Sequence, residues 1–274
     1  MAVARIETGR EMPPTMCQLL GMNCNLPTDI CFSFQGLPSR GGGTDVHADG
    51  WGIAFFEGRG CRVFLDSHPA QASPVADLVR CYPIKSMNVI AHIRKATQGS
   101  VALENCHPFQ RELWGRYWVF AHNGNLEPGA SRTARVYRPV GDTDSEAAFC
   151  AILDDLRERF PSEKPPLPVL LEALAEHTGL LRRRGPFNYL LSDGEQLFAH
   201  ATTQLHYLVR QAPFAQAHLI DQDLTVDFEE LTTPDDRVAI IATTPLTDNE
   251  TWTAIPLGQV VAFQDGAPLA AHRG

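Results

Sequence analysis

The sequence predicts an α+β domain, and three observations carry that reading. Short apolar runs of strand length fill the first half of the chain. Two stretches with apolar residues at three- and four-residue steps occupy its middle, the mark of amphipathic helices. Short apolar runs then return and continue to the C-terminal end. Strands, then helices, then strands describe sheets and helices packed in layers.

Residues 1–16 are a poor start to any packed element, because their charges alternate and Pro13-Pro14 interrupts them. They lack the apolar stretch of a secretory signal. We expect them to be a leader or an over-long start that is absent from the active protein, with a single domain over 17–274. Gly52–Phe56 and Cys61–Leu65 flank Gly58-Arg59-Gly60 and read as a hairpin. Asn88–Ile93 and Tyr117–Ala121 are two further strand-length runs, each ending in chemically capable residues. Thr143-Asp144-Ser145-Glu146 has the form of a capping box, in which side chains at both ends satisfy free amides. Behind it Phe149, Ile152, Leu153, Leu156 and Phe160 mark the apolar face of a helix. Residues 162–168 form a Pro-rich break, and a second helix is expected from Leu170 to Arg184, closed by Gly185-Pro186. Strands follow at Phe187–Leu191, Gln196–Ala199, Leu205–Arg210, Val238–Thr243 and Gln259–Phe263.

Composition narrows the function. The 274 residues are 44% hydrophobic and 20% charged, within the ordinary globular range. Mean hydropathy is −0.16, and no apolar run approaches the roughly 18 residues that span a bilayer. A net charge of −9 argues against a nucleic-acid partner, which would call for a basic stripe. The dense basic cluster Arg182-Arg183-Arg184 closes a helix, where cations complement the dipole. Seven cysteines at wide spacing, with no C-x-x-C, fit reduced thiols in a cytoplasmic enzyme better than a disulfide framework or zinc site.

Four segments carry the chemistry: Met16–Gly21, His92–Thr97, Ala121–Leu126 and Asp142–Glu146. Singly, each has a structural explanation. Cys17 could be a small buried hydrophobe, Arg94 half of an ion pair, Asn123-Gly124 a hairpin turn, and Asp144 a partner of the helix dipole. Together and in this order they resemble the glutaminase domain of the class II glutamine amidotransferases. Asp49–Ile53 is similar to that family's first hairpin strand, and Arg111–Arg116 resembles the stand-alone bacterial YafJ-like branch.

The resemblance implies a four-layer αββα sandwich of the N-terminal-nucleophile hydrolase type. It implies a Cys17 thiol that attacks the side-chain amide of glutamine, with the α-amino group of the same residue as base. It implies oxyanion donors at Asn123 and Gly124, a carboxylate-gripping Arg94 assisted by Thr97, and Asp144 opposite the α-ammonium. No cofactor is expected, and no ligand spacing calls for a metal. Some relatives carry a histidine where this chain has Gln98, which leaves the details of carboxylate recognition open. A free amine on Cys17 requires the loss of residues 1–16, by initiation at Met16 and methionine removal or by propeptide cleavage.

Other features carry less. His92, His107 and His122 lack metal-ligand spacing, and His107-Pro108 lies near the substrate or in a loop. Arg40–Thr44 lacks the ending of a phosphate loop and suits a lid. Asp154, Asp155 and Glu158 suit a solvated helix face, and Trp114 and Trp118 suit core or surface packing. The ammonia acceptor would be a separate synthase, since the chain has no room for one. The alternatives are a γ-glutamyl amide hydrolase acting on a modified γ-glutamyl compound, and a non-catalytic regulatory or binding module.

Overall fold

In a computed structural model, the described residues are 17–30, 33, 49–82, 84–94, 100–127, 136–221, 224–229 and 232–274. The expected leader 1–16, the Gly-rich segment Arg40–Thr44, and Thr97 with Gln98 lie outside them.

Strand β1 (Gln18–Asp29) begins one residue after Cys17. The expected hairpin is β2 (Trp51–Glu57) and β3 (Gly60–Asp66), in register from Trp51↔Asp66 to Glu57↔Gly60. Helix α1 (Pro74–Cys81) and β4 (Lys85–Ile93) follow, then β5 (Phe109–Leu113) and β6 (Arg116–Gly124). Two helices come next, α2 (Asp144–Arg159) and α3 (Leu167–Leu181). The chain ends in β7 (Phe187–Ser192), β8 (Leu197–His200), β9 (His206–Gln211), β10 (Gln216–His218), β11 (Thr225–Asp227), β12 (Arg237–Ala242), β13 (Thr253–Ala254), β14 (Gln259–Gln264) and β15 (Ala267–Arg273).

Two large antiparallel sheets result, ordered β13-β9-β12-β1-β4-β2-β3 and β15-β14-β8-β7-β6-β5, with β10 and β11 paired as a separate ribbon. Strand alternation sends each strand's apolar residues to two faces, so both sheets are buried on both sides. Between the sheets lie Leu19, Phe56, Ile90 and Ile241 of one and Ala121, Leu190, Ala199 and Phe263 of the other. The opposite face of the second sheet carries Trp118, Phe120, Tyr189 and Phe198, against Phe149, Leu153, Leu170 and Leu174 of α2 and α3. The outer face of the first sheet carries Met22, Ile53, Val89 and Ile240 beneath Ala76 and Val79 of α1. This is the αββα sandwich, with the α+β class as expected.

Local chemistry explains where the boundaries differ from expectation. α3 begins at Leu167, not Leu170, because Pro168 occupies its first turn, where a missing N–H costs nothing. Residues Arg182–Arg184 leave the α-helix for a 3₁₀ turn, with Gly185 beyond it. The capping box is half formed. Thr143 accepts from the Glu146 amide at 3.2 Å, whereas Glu146 turns to the amides of Val140 and Gly141, at 2.9 and 2.8 Å, and to Arg111. The acidic face of α2 is not fully solvated either. Asp154 accepts from the amides of Val136 and Tyr137 at 3.1 and 3.2 Å, and Asp155 is half-buried between Arg159 and His177. Trp118 is core, while Trp114 turns the β5–β6 hairpin and donates to Phe160 O at 2.8 Å.

Candidate active site

The expected site residues that are described, Cys17, Arg94, Asn123, Gly124 and Asp144, lie where one end of the first sheet meets an end of the second. Gln18 of β1 pairs with Ile93 of β4, so Cys17 and Arg94 follow at neighbouring strand ends. Ile93 pairs in turn with Trp51 of β2, and the Arg94 amide donates to Gly50 O at 2.9 Å. β1 is pinned on its other side by β12. The Leu19 amide donates to Thr243 Oγ1 at 2.9 Å, and Thr243 N donates to Leu19 O at 3.1 Å. Cys17 is half-buried at the head of this strand.

From the facing sheet, β6 brings Asn123, whose side-chain amide donates to the main-chain carbonyl of Cys17. An amide nitrogen carries two hydrogens, and this contact uses one of them. Asn123-Gly124 is therefore not a hairpin turn. It is extended strand, in register with Asn188 and Phe187 of β7. No side chain fits at 124, because a Cβ there would fall on the Pro186 carbonyl oxygen and lie 2.5 Å from His122 Nε2. Asn188, fully buried, fixes this strand end. Its Nδ2 donates to Asn123 O at 3.0 Å and to Thr203 Oγ1 at 2.9 Å, and its Oδ1 accepts from Thr202 N at 2.9 Å and Thr203 N at 3.0 Å.

Arg94 is buried at 3% exposure, with Nη1 3.4 Å from Asp49 O and the 106–107 segment beside it. Gly50 allows this approach: its φ of +106° suits glycine, and a Cβ would lie 2.7 Å from Cys106 Sγ. His107 is buried as well, with Nδ1 3.3 Å from His92 Nε2. Burial first, then the charges of His92, His122 and Arg94, push the His107 pKa well below the ordinary histidine range. A neutral ring avoids placing a second cation near the Arg94 guanidinium in a buried site. His107 thus sits in the loop before β5, as one of the two expectations had it, but buried against His92 and Phe109. Asp144 stands at the first turn of α2, and its Oδ2 accepts from Leu126 N at 2.6 Å.

Asn188, Thr203, His122 and Ser145 were not singled out from the sequence as groups that support the site. A polar Asn188 within the apolar run Phe187–Leu191 was the signal available for the first. Among the other described cysteines, burial pushes the thiols of Cys24, Cys106 and Cys150 up to about 11 and that of Cys61 to about 12. They stay protonated and unreactive, whereas Cys17 stands half-buried among polar groups.

Two facing antiparallel sheets between helices, with a cysteine heading a central strand, define a sandwich of the N-terminal-nucleophile hydrolase type. The chain belongs to the class II glutamine amidotransferases, whose family model matches residues 16–273. It is 54% identical over 244 residues to YafJ of Escherichia coli (strain K12), covering 89% of this chain and 96% of that protein. A Haemophilus influenzae protein is 54% identical over 255 residues, covering 93% of this chain and 86% of the relative. The names of both place them among the glutamine amidotransferases. A 2.0 Å crystal structure of a Pseudomonas aeruginosa PA01 protein, described as a predicted glutamine amidotransferase, superposes with a TM-score of 0.74 at 49% identity, covering 93% of this chain and all of the other. A glutamine phosphoribosylpyrophosphate amidotransferase from B. subtilis shares the fold at a TM-score of 0.56 and 14% identity, over 94% of this chain and 49% of the larger protein.

Proposed function

We propose that the protein hydrolyses the side-chain amide of glutamine, releasing ammonia through a γ-glutamyl thioester on Cys17, in a form that begins at Cys17. The observation that carries this reading is the hydrogen bond from the Asn123 amide to the Cys17 carbonyl, which brings an amide donor of one sheet to the cysteine heading the other. The family match beginning at Met16 supports the same start.

The carboxamide is a weak electrophile with a poor leaving group, so it calls for a strong nucleophile and a proton donor. A thiol is the nucleophile, and an α-amine with an ordinary pKa of about 7.7–8.0 is the base. The amine takes the thiol proton as sulfur attacks the δ-carbon. A tetrahedral oxyanion forms, to which the second Asn123 Nδ2 hydrogen and the Gly124 N–H donate. Such donors are each worth about 2.7–4 kcal/mol. The amine then returns its proton to the departing nitrogen, ammonia leaves, and the thioester remains. Water adds to that thioester, glutamate departs, and the thiol is restored. An intact leader would turn the nitrogen into a non-basic peptide amide. Arg94 grips the α-carboxylate with its planar fork, with Thr97 beside it in sequence. Asp144 takes the α-ammonium. A separate synthase would accept the ammonia, in a cytoplasmic setting.

Rapid acid quenching tests the covalent step. The N-terminal peptide of the form starting at Cys17 should carry a γ-glutamyl adduct during turnover, and the Cys17→Ala form should carry none. An active protein with its adduct on another residue, or with turnover surviving Cys17→Ala, would overturn the reading.

A further inference from the structure

Behind Asp144 stands a buried arrangement that the reaction as written does not use. His122 precedes Asn123 on β6, so its side chain leaves the opposite face of the strand, toward α2. The ring is 1% exposed and packs 4.9 Å from Phe187. Its Nδ1 lies 2.8 Å from Ser145 Oγ, and its Nε2 lies 3.4 Å from Pro186 O. A carbonyl oxygen only accepts, which assigns the proton of the neutral ring to Nε2 and leaves Nδ1 as an acceptor. The Ser145 hydroxyl then points its single hydrogen at Nδ1. That hydrogen is not available to Asp144 Oδ1, which lies 3.4 Å from the same hydroxyl oxygen. Asp144 Oδ2 is already held by the Leu126 amide at 2.6 Å. Burial, its largest influence, lowers the His122 pKa against the raising pull of Asp144 and the Pro186 carbonyl, which favours the neutral ring. Were Nδ1 to carry a proton, it would donate to Ser145, and the hydroxyl would swing onto Oδ1.

We infer that His122 is a positioning residue for ammonium recognition: its imidazole draws the Ser145 hydrogen away from Asp144 and keeps both acceptor positions of Oδ1 for the α-ammonium of the substrate. This rests on the glutamine site proposed above. It differs from a simple supporting role in one respect. A hydroxyl turned onto Oδ1 fills one of its two acceptor positions and draws charge from the carboxylate, which weakens its hold on the ammonium.

The test compares binding of glutamine and of glutaramic acid, which is glutamine without its α-amino group, by calorimetry in a Cys17→Ala background. His122→Phe cannot accept the hydroxyl, so Ser145 turns to Asp144 and glutamine binding weakens by about tenfold, the scale of one charge-assisted hydrogen bond. Glutaramic acid binding stays within about twofold over the same substitution, because it has no ammonium to lose. Adding Ser145→Ala to His122→Phe removes the redirected hydroxyl and restores most of the glutamine affinity. Ser145→Ala alone leaves glutamine affinity within about twofold, and this conservative change keeps the test open if His122→Phe does not fold. Equal losses for both ligands, no recovery in the double variant, or a tenfold loss of glutamine binding from Ser145→Ala alone would each overturn the inference. If glutamine is neither bound nor hydrolysed by the parent protein, the glutamine reading itself fails. Glutamine binding that ignores His122→Phe sinks only this inference.

Discussion

Replacing Asn188 by alanine removes a side chain that ties the Asn123 strand end to the turn after β8. Asn188 is completely buried and satisfies three backbone groups: the carbonyl of Asn123 at 3.0 Å and the amides of Thr202 and Thr203 at 2.9 and 3.0 Å. The Asn123 carbonyl also lies in the β6–β7 ladder opposite Asn188, so losing the side-chain donor should cost about 0.5–1.5 kcal/mol. The two amides lie nearer the surface and can turn to water, which limits their share to roughly 0.5–1 kcal/mol each. A total loss of about 1.5–3.5 kcal/mol follows, a large fraction of the roughly 5–15 kcal/mol that holds a domain together. Because the strand end also aims the Asn123 amide, kcat should fall by more than KM rises. Urea unfolding of both proteins, with matched slopes, gives the stability difference. Steady-state glutaminase assays at a temperature where both are folded give the kinetic split. A stability loss below about 1 kcal/mol, or a folded variant with unchanged kcat, would refute the claim that this side chain positions the oxyanion donor.

Three further outcomes are expected. Gly124→Ala forces a methyl group onto the Pro186 carbonyl, and its overpacking should cost about 1–3 kcal/mol in unfolding while kcat drops sharply. Retained stability and activity together would contradict the close approach of β6 and the 185–187 segment. Arg94→Lys keeps the charge but loses the fork, so KM for glutamine should rise by about 10–100-fold in steady-state assays; an unchanged KM removes Arg94 from the carboxylate site. His200 titrates with the fold. Burial, its largest influence, lowers its pKa to about 4, so the unfolded chain takes up this proton first. The stability it contributes is fully present above pH ~6.5 and lost as pH falls toward 4, by roughly 3 kcal/mol in all. His200→Gln, able to donate to Gln259 O in place of the ring, should flatten that part of the pH–stability curve, and an unaltered slope would show that His200 is not held neutral.

The parts of the fold legible in the sequence are those with a strong local code. The β2–β3 hairpin announced itself through Gly58 and its β-favouring flanks, and α2 through Thr143 and its apolar spacing. Helix α1 was not read, although Ser73 accepts from the Ala76 amide at 3.2 Å and Pro74 opens its first turn. At eight residues it is too short for apolar spacing to stand out. The short strands β10 and β11, three residues each, pair with each other and are too brief for alternation to stand out, whereas the two-residue β13 forms against the distant β9, which a local window cannot see. In the site, the residues proposed to touch glutamine fall in compact motifs that a sequence displays. Their supports were not. Asn188 and Thr203 act on Asn123 across strands, and Ser145 matters through a histidine 23 positions away. Glu146 shows the opposite failure: a correct local signature whose carboxylate is drawn off by Arg111 and the 140–141 amides.

The most direct measurement is release of glutamate and ammonia from glutamine by two forms of the protein, one keeping residues 1–16 and one whose mature first residue is Cys17, with the first residue of each confirmed by intact mass. Activity confined to the second form, and abolished there by Cys17→Ala, is the result predicted from an α-amine acting as base. Equal activity from a form whose Cys17 nitrogen remains in a peptide bond would contradict it.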